Sequence, residues 1–269
     1  MSGHLRRRHA PITDEAWRAV DEEATRSLRH FVAGRPLVDF AGSHGWEYSA
    51  AALGRTDTVT MRGPAGVEAG TRRVQPVLEL RTPFTLQRAE LDAVDRGAAD
   101  PDLSAVTDAA RRAAAAEDGV VFYGLPDART TGVADGSPHT PIALSDDYDE
   151  YPGSVAKAVA VLREAGVGGP FGIALGPRCY TGVIESTEHG GYPVLEHIRF
   201  ILGGPIVWAP AVDGAVVVSL RGGDYVFDSG QDFSVGYVNH TNETVDLYIE
   251  ESFTFRVVEP RAAVALRYP

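Results

Sequence analysis

The 269-residue sequence predicts an α+β protein, and three stretches carry that prediction. Over residues 14–32 apolar side chains recur every three or four positions, the period of a helix with one buried face. Over residues 245–257 they recur every second position, the period of a strand. Between them, over residues 52–83, the run LGRTDTVTMRGPAGVEAGTRRVQPVLELRTP mixes β-prone segments around a Gly/Pro/Ala centre with no helical period. That is the pattern of a long β-arm.

Each element can be argued in order. Thr13 suits the N-cap of the first helix, Asp14 and Glu15 its first turn, and Gly34 its stop. Trp17, Val20, Ala24, Leu28 and Phe31 line the apolar face. Residues 36–40 read as a short strand. In the arm, strands over 57–62 and 74–80 flank a loose tip; so slender an arm buries no core of its own and must lie on something else, such as a neighbouring subunit. Thr85 is expected to cap a helix over 86–96 ending at Gly97. A longer helix follows over 103–117, with Val106, Ala110 and Ala113 on one side. Residues 124–149 are loop-rich. A helix over 155–165, a buried strand over 171–175 and a helix over 192–202 come next. Strands at 206–208 and 215–220 flank Val212-Asp213-Gly214, a turn signal. In the last long strand Glu251 alone breaks the apolar alternation, which marks a bulge or a contact between subunits.

The composition narrows the function classes. A formal charge of −12 argues against coating nucleic acid with the whole surface, and Arg6-Arg7-Arg8-His9 is the one basic cluster. It reads as a solvated terminal arm or as an arm facing something acidic. One cysteine, Cys179, gives no internal disulfide framework and suits a reducing cytosol. No apolar run approaches the roughly 20 residues of a membrane helix, and the basic start lacks the apolar segment of a secretory signal. The single lysine, Lys157, leaves no phosphate-cradling Gly-Lys-Thr loop. Gly166-Val-Gly168-Gly169 follows a helix and precedes a strand, the wrong order for a dinucleotide loop. Neither a Gly-x-Ser-x-Gly elbow nor a His-Glu-x-x-His pair is present.

The densest polar stretch is ESTEHGGYPVLEH, residues 185–197. Glu185 and His189 stand four apart, but Gly190-Gly191 follows at once and Pro193 opens the next helix. A metal or acid–base centre and a solvated loop tip are both open readings of these residues.

Several stretches taken together resemble one family. They are RRRHAPITDEAW, FVAGRPLVDFAGSHGWEYSAAALG, LELRTPFTLQRAELDAVDRG, EHGGYPVLEH, IVWAPAVDGAVVVSLRGGDY, GQDFSVGY and ESFTFRVV, in order along nearly the whole chain. The chain is similar to the encapsulins, bacterial nanocompartment shell proteins related to linocin-type bacteriocins. The resemblance implies a tailed-phage major-capsid-like fold of the Hong Kong 97 type, with a peripheral domain, an axial domain and an extended loop. Residues 1–51 would be the N-terminal helix and the start of the peripheral domain, 52–83 the extended loop and 84–134 the peripheral helices. Residues 135–224 would be the axial domain, and 225–269 the C-terminal strands of the peripheral domain. It further implies a homo-oligomer closed as an icosahedral shell of about sixty copies, in the cytoplasm, with no catalytic residues and no metal.

The resemblance also offers a third reading of the polar stretch. Thr187, Glu188, His189, Gly190, Gly191 and Tyr192 would surround a pore at a symmetry axis, where each side chain becomes a ring that biases ion entry. Cargo enzymes in the family carry a C-terminal peptide that docks on the inner wall. The matching positions are Leu28, Arg35 and Asp39, with Asp232, Phe233, Val235 and Tyr237 on a strand. Against this, Leu28 also reads as plain core, and Arg35 and Asp39 as partners of each other. A dye-decolourising peroxidase or a ferritin-like protein is the cargo the family implies. Some members stack a flavin on a tryptophan in the helix after the extended loop; here Ala89 stands at that place, so no flavin is expected. Two other classes compete: a phage-type capsid protein packaging DNA, and a metal-dependent hydrolase built on residues 185–197.

Overall fold

The computed structural model describes residues 3–63, 66–188 and 191–269. Helix α1 (Asp14–Phe31) forms as its sequence directs, with Thr13 Oγ1 accepting from the Ala16 amide at 3.1 Å. Ala16, Trp17, Val20, Ala24 and Ser27 are buried, while Leu28 and Phe31 are only half-buried. The chain then makes a tight 3-10 turn at Arg35–Leu37 before β1 (Asp39–Ala41). The strand expected from residue 36 therefore starts later, because Pro36 fixes φ and serves the turn.

β2 (Ala50–Val59) and β3 (Ala69–Pro76) pair antiparallel as an isolated ribbon, exposed over most of its length. The next strand, β4 (Leu78–Gln87), leaves the ribbon for the main sheet. Thr85 is not a helix cap. It lies within β4, its Oγ1 hydrogen-bonded to Asp246 Oδ1 at 2.7 Å, and α2 (Arg88–Asp95) begins three residues on. Phe84 and Leu86 are buried and Thr85 and Gln87 exposed, so a period of two overrides the helical reading.

Helix α3 (Ser104–Tyr123) runs six residues beyond its expected end. The two short strands β5 (Gly124–Leu125) and β6 (Thr130–Thr131) follow, then β7 (Ile142–Ala143), α4 (Tyr151–Glu164), β8 (Phe171–Leu175), α5 (Pro177–Glu185) and α6 (Val194–Leu202). The last of these was expected from Tyr192; it starts after Pro193, the N-cap. β9 (Ile206–Trp208), β10 (Ala215–Ser219), β11 (Tyr225–His240), β12 (Thr244–Val257) and β13 (Ala263–Arg267) complete the chain.

Two sheets organise the molecule. One is four-stranded, in the order β1-β11-β12-β4, with α3 packed on β4 and β12 and α1 on α3. The other is five-stranded, in the order β7-β13-β10-β8-β9, covered by α4 and α6. β9 and β10 are not a hairpin. β8 lies between them, parallel to β9 and antiparallel to β10, and residues 209–214 step across its end.

β12 keeps its alternation, yet both its faces are buried: Tyr248, Glu250, Ser252 and Thr254 are as enclosed as Leu247, Ile249 and Phe253. Glu251 breaks the pattern opposite a bulge. Glu250 pairs with Ser234 and Ser252 with Gln231, so β11 carries an extra residue there and Glu251 has no β11 register partner.

Candidate functional site

Arg35 organises the region beneath α1. The turn at Arg35–Leu37 aims its guanidinium at α3, β11 and β12. Nε and Nη2 donate to Glu117 Oε2 at 2.9 and 2.6 Å, Nη1 to Asp232 Oδ1 at 2.8 Å, and Nη2 to Glu251 Oε2 at 3.2 Å. The rings of Phe40, Phe233 and Phe227 stand 4.9, 4.8 and 5.4 Å from it. Although burial opposes a buried charge, hydrogen bonds donated to Glu117 and the charge of the neighbouring carboxylates hold the guanidinium's pKa above its ordinary value. Beside it Asp118 accepts from the Ala33 amide at 3.0 Å and the Gly34 amide at 2.7 Å, closing the end of α1. Burial, reinforced by Glu117, pushes Asp118 up to about 7.

The residues expected to form a peptide groove are only partly brought together. Leu28, Phe233 and Val235 line one cavity of about 260 Å³, with Leu5, Arg7 and Ile249. Leu28 is thus half-buried at a cavity wall rather than sealed in the core. Arg35 and Asp232 form the ion pair next to Phe233, which itself donates its amide to Asp232 Oδ1 at 2.8 Å. Asp39 stands apart. It does not pair with Arg35 but accepts from the Gly223 amide at 2.6 Å, at a second cavity with Leu220 and Tyr225. Tyr237 is buried in the core between sheet and helices, its hydroxyl 2.5 Å from His240 Nδ1.

The N-terminal arm is less free than its charge implied. Arg7 donates to Asp21 at 3.0 and 2.6 Å and lies 4.0 Å over the Trp17 ring, while Leu5 is buried. His4 stacks on Trp46 at 3.9 Å, with its Nε2 3.1 Å from Glu250. Arg6, Arg8 and His9 remain exposed.

In the loop after α5, His189 and Gly190 lie outside the described residues. Its base is clamped: Thr187 and Pro193 form a β-bridge, the Glu188 amide donates to Tyr192 O at 2.8 Å, and Gly191 takes φ +82. Glu188 Oε1 meets His197 Nδ1 at 2.6 Å, and both side chains stay part-exposed. Thr187, Gly191 and Tyr192 are exposed. Because α5 ends at Glu185, Glu185 is not carried on one helix with the residues after it. Among the described residues no group of three or more His, Cys, Asp or Glu could hold a metal ion. Among them, too, no helix is long and apolar enough to cross a membrane. Ala89, expected where a flavin-stacking ring would stand, is exposed on α2.

Sequence reasoning missed Glu117 and Asp118. Their signal is faint: two acids inside AAAAEDGVVF, where every other neighbour is small or apolar.

Comparison with known proteins bears on the whole chain. A family profile described as encapsulating protein for peroxidase (Linocin_M18) matches residues 1–254. The chain is 45% identical to a type 1 encapsulin shell protein of Rhodospirillum rubrum, covering 98% of this chain and 96% of the relative. It is 39% identical to a type 1 encapsulin shell protein of Mycobacterium tuberculosis, covering 98% and 99%. Among solved structures, the virus-like particle from Pyrococcus furiosus superposes with a TM-score of 0.67 at 17% identity, over 94% of this chain and all of that one. The capsid of Myoviridae phage XM1 superposes at 0.54 with 12% identity, over 86% and 90%. The last two establish the fold, the α+β fold of Hong Kong 97-type phage capsids. Sequence and fold agree: this chain belongs to the encapsulin family of capsid-like shell proteins.

Proposed function

We propose that the chain assembles with copies of itself into a closed icosahedral shell of about sixty subunits in the cytoplasm, enclosing a cargo enzyme. One observation carries the assembly reading, the family match over residues 1–254; beside it, the protein extends a β2–β3 ribbon that its own core does not cover. Exposed Val59, Met61, Val67 and Val74 on that ribbon and its tip suit a neighbouring subunit. Residues 52–83 are its extended loop, 135–224 its axial domain, and 1–51, 84–134 and 225–269 its peripheral domain.

The cargo, a peroxidase or a ferritin-like protein, would enter by a C-terminal peptide. Leu28, Phe233 and Val235 would offer it apolar contact, and Arg35 with Asp232 would fix register by charge. Asp39, at the second cavity, and Tyr237, in the core, would make no direct contact with the peptide in this groove. Thr187, Glu188, Gly191 and Tyr192 would rim a pore that filters by charge. Flavin stacking forms no part of the proposal, since Ala89 supplies no ring.

Negative-stain electron microscopy with light scattering on the protein expressed alone tests assembly. Uniform hollow particles with a mass on the order of megadaltons are expected; a monomer or small oligomer overturns the reading, and particles filled with long nucleic acid would favour DNA packaging. Phe233→Ala should leave the particles intact while reducing capture of a reporter bearing the cargo's C-terminal peptide. Unchanged capture would move the groove elsewhere.

A further inference from the structure

Five charged side chains meet beneath the groove, and only one of them is positive. The turn after α1 brings Arg35, α3 brings Glu117 and Asp118, β11 brings Asp232 and β12 brings Glu251. Glu117, Asp118 and Glu251 are at most 1% exposed. Asp118 takes its hydrogen bonds from the Ala33 and Gly34 amides, and Arg35 spends Nε and Nη2 on Glu117 and Nη1 on Asp232. Among the described residues Glu251 is left with one hydrogen bond of 3.2 Å, at Oε2, and its buried Oε1 has no hydrogen-bond donor. The strand across from it offers none, because Leu80 of β4 is its register partner. Arg81 and His4 face Glu250, the next residue, whose side chain points to the other face of β12.

What Glu251 shares with Glu117 is Arg35 Nη2, which donates to both carboxylates and so holds them side by side. Two ionised carboxylates there would confront acceptor with acceptor at near-zero exposure, an arrangement that native interiors avoid. A proton on Glu251 turns one of them into a donor and satisfies the orphaned oxygen. It also leaves Arg35 fewer negative charges to balance.

We propose that Glu117 and Glu251 share one proton, that this proton lets a single arginine hold the β11 bulge, and that its loss at alkaline pH loosens the Asp232–Phe233 wall. Burial, with Glu117 alongside, holds the Glu251 carboxyl well above the usual carboxylate range, in agreement with the geometry. The consequence for a docked peptide rests on the groove reading given above; the proton itself does not.

The test uses the whole assembled protein. Infrared spectra are taken across roughly pH 6 to 10 for the Asp118→Asn protein with and without Glu251→Gln, which removes Asp118 from the carboxyl signal. The expected result is one protonated-carboxyl band per chain that fades on the alkaline side and is missing with Glu251→Gln. The amide that Glu251→Gln introduces donates to Glu117 as the acid does, so that variant should stay folded. Hydrogen exchange over residues 231–235, corrected for base catalysis, should accelerate at alkaline pH and stay flat with Glu251→Gln. Absence of the band overturns the shared proton. So does a stability loss with Glu251→Gln that is equal at every pH, the mark of an anion once paired with Arg35. A band without the exchange change overturns the loosening alone. Should Glu251→Gln fail to fold, the band in Asp118→Asn and its loss with pH decide. Peptide capture absent at every pH, with the band present, would sink the groove reading and leave the proton standing.

Discussion

The two sheets bury polar groups by opposite means. Under the four-stranded sheet the solution is ionic: Arg35 against Glu117, Asp232 and Glu251. At the edge of the five-stranded sheet it is neutral. There Tyr151 donates to Cys179 Sγ at 3.4 Å, the Tyr268 hydroxyl meets both, and the Arg178 guanidinium covers the Tyr268 ring at 3.8 Å. Burial and the adjacent thiol push both phenols up, so both hydroxyls stay neutral at ordinary pH. A neutral cluster holds its shape whatever the proton supply. An ionic one with excess carboxylates is bound to pH and to whatever ligand alters its balance. The candidate groove sits on the ionic side.

The largest effect that would sharpen this contrast is Arg35→Met. It leaves Glu117 and Glu251 buried without a cation, and the urea midpoint should fall by the equivalent of about 3–5 kcal/mol. A smaller loss would mean that the carboxylates take up protons without harm and that the arginine is dispensable. Next comes the pH profile of Asp118. Its folded value of about 7 lies above the unfolded one, so its contribution to stability is most favourable below the unfolded value, near pH 4. That contribution declines as pH rises from there to about 7, by of order 3 kcal/mol. Asp118→Asn should flatten that slope in thermal unfolding followed from acid to neutral pH, and a slope unchanged by the substitution would refute the assignment. On the neutral side, Tyr151→Phe removes one hydroxyl from the cluster and should cost about 1–2 kcal/mol, with the same loss at every pH from 5 to 8. A pH-dependent loss would show hidden charge there. Smallest, Thr13→Ala should cost about 1 kcal/mol through the lost cap of α1, read in the same unfolding assay, and leave both clusters untouched.

What could be read in advance depended on how local the cause was. α1 and β12 are set by short-range period and by caps such as Thr13, so their sequences announce them; the ribbon is legible only as an arm, since its strands run over Ala50–Val59 and Ala69–Pro76 rather than 57–62 and 74–80. Thr85 misled because Thr-Leu-Gln-Arg-Ala-Glu also satisfies a helix; pairing with Asp246 of β12, far along the chain, chose the strand. β9 and β10 misled because a turn signal does not tell which strand will lie between two others. The ionic cluster was the least legible. The helix was expected to stop at residue 117, whereas α3 continues through Gly119 to Tyr123, placing Glu117 and Asp118 inside it and against Arg35. Glu251 was noticed only as a misfit. Its meaning needed the bulge across from it and an arginine from another segment.

That bulge has relatives. Between Ser229 and Asn239 β11 advances faster than its partner three times, at register shifts after Ser229, Gln231 and Tyr237. Each shift exchanges the two faces of the strand, much as an inserted letter changes a reading frame. The alternation of small and large side chains along β11 therefore makes sense only when parsed in four separate phases. Loss of a single residue from a paired run, such as Ser234–Tyr237, would shift the pairs beyond it by one and turn that end of the strand inside out, Tyr237 toward the wrong side. Length along this stretch is as strictly specified as chemistry, and substitutions will be borne there more easily than deletions.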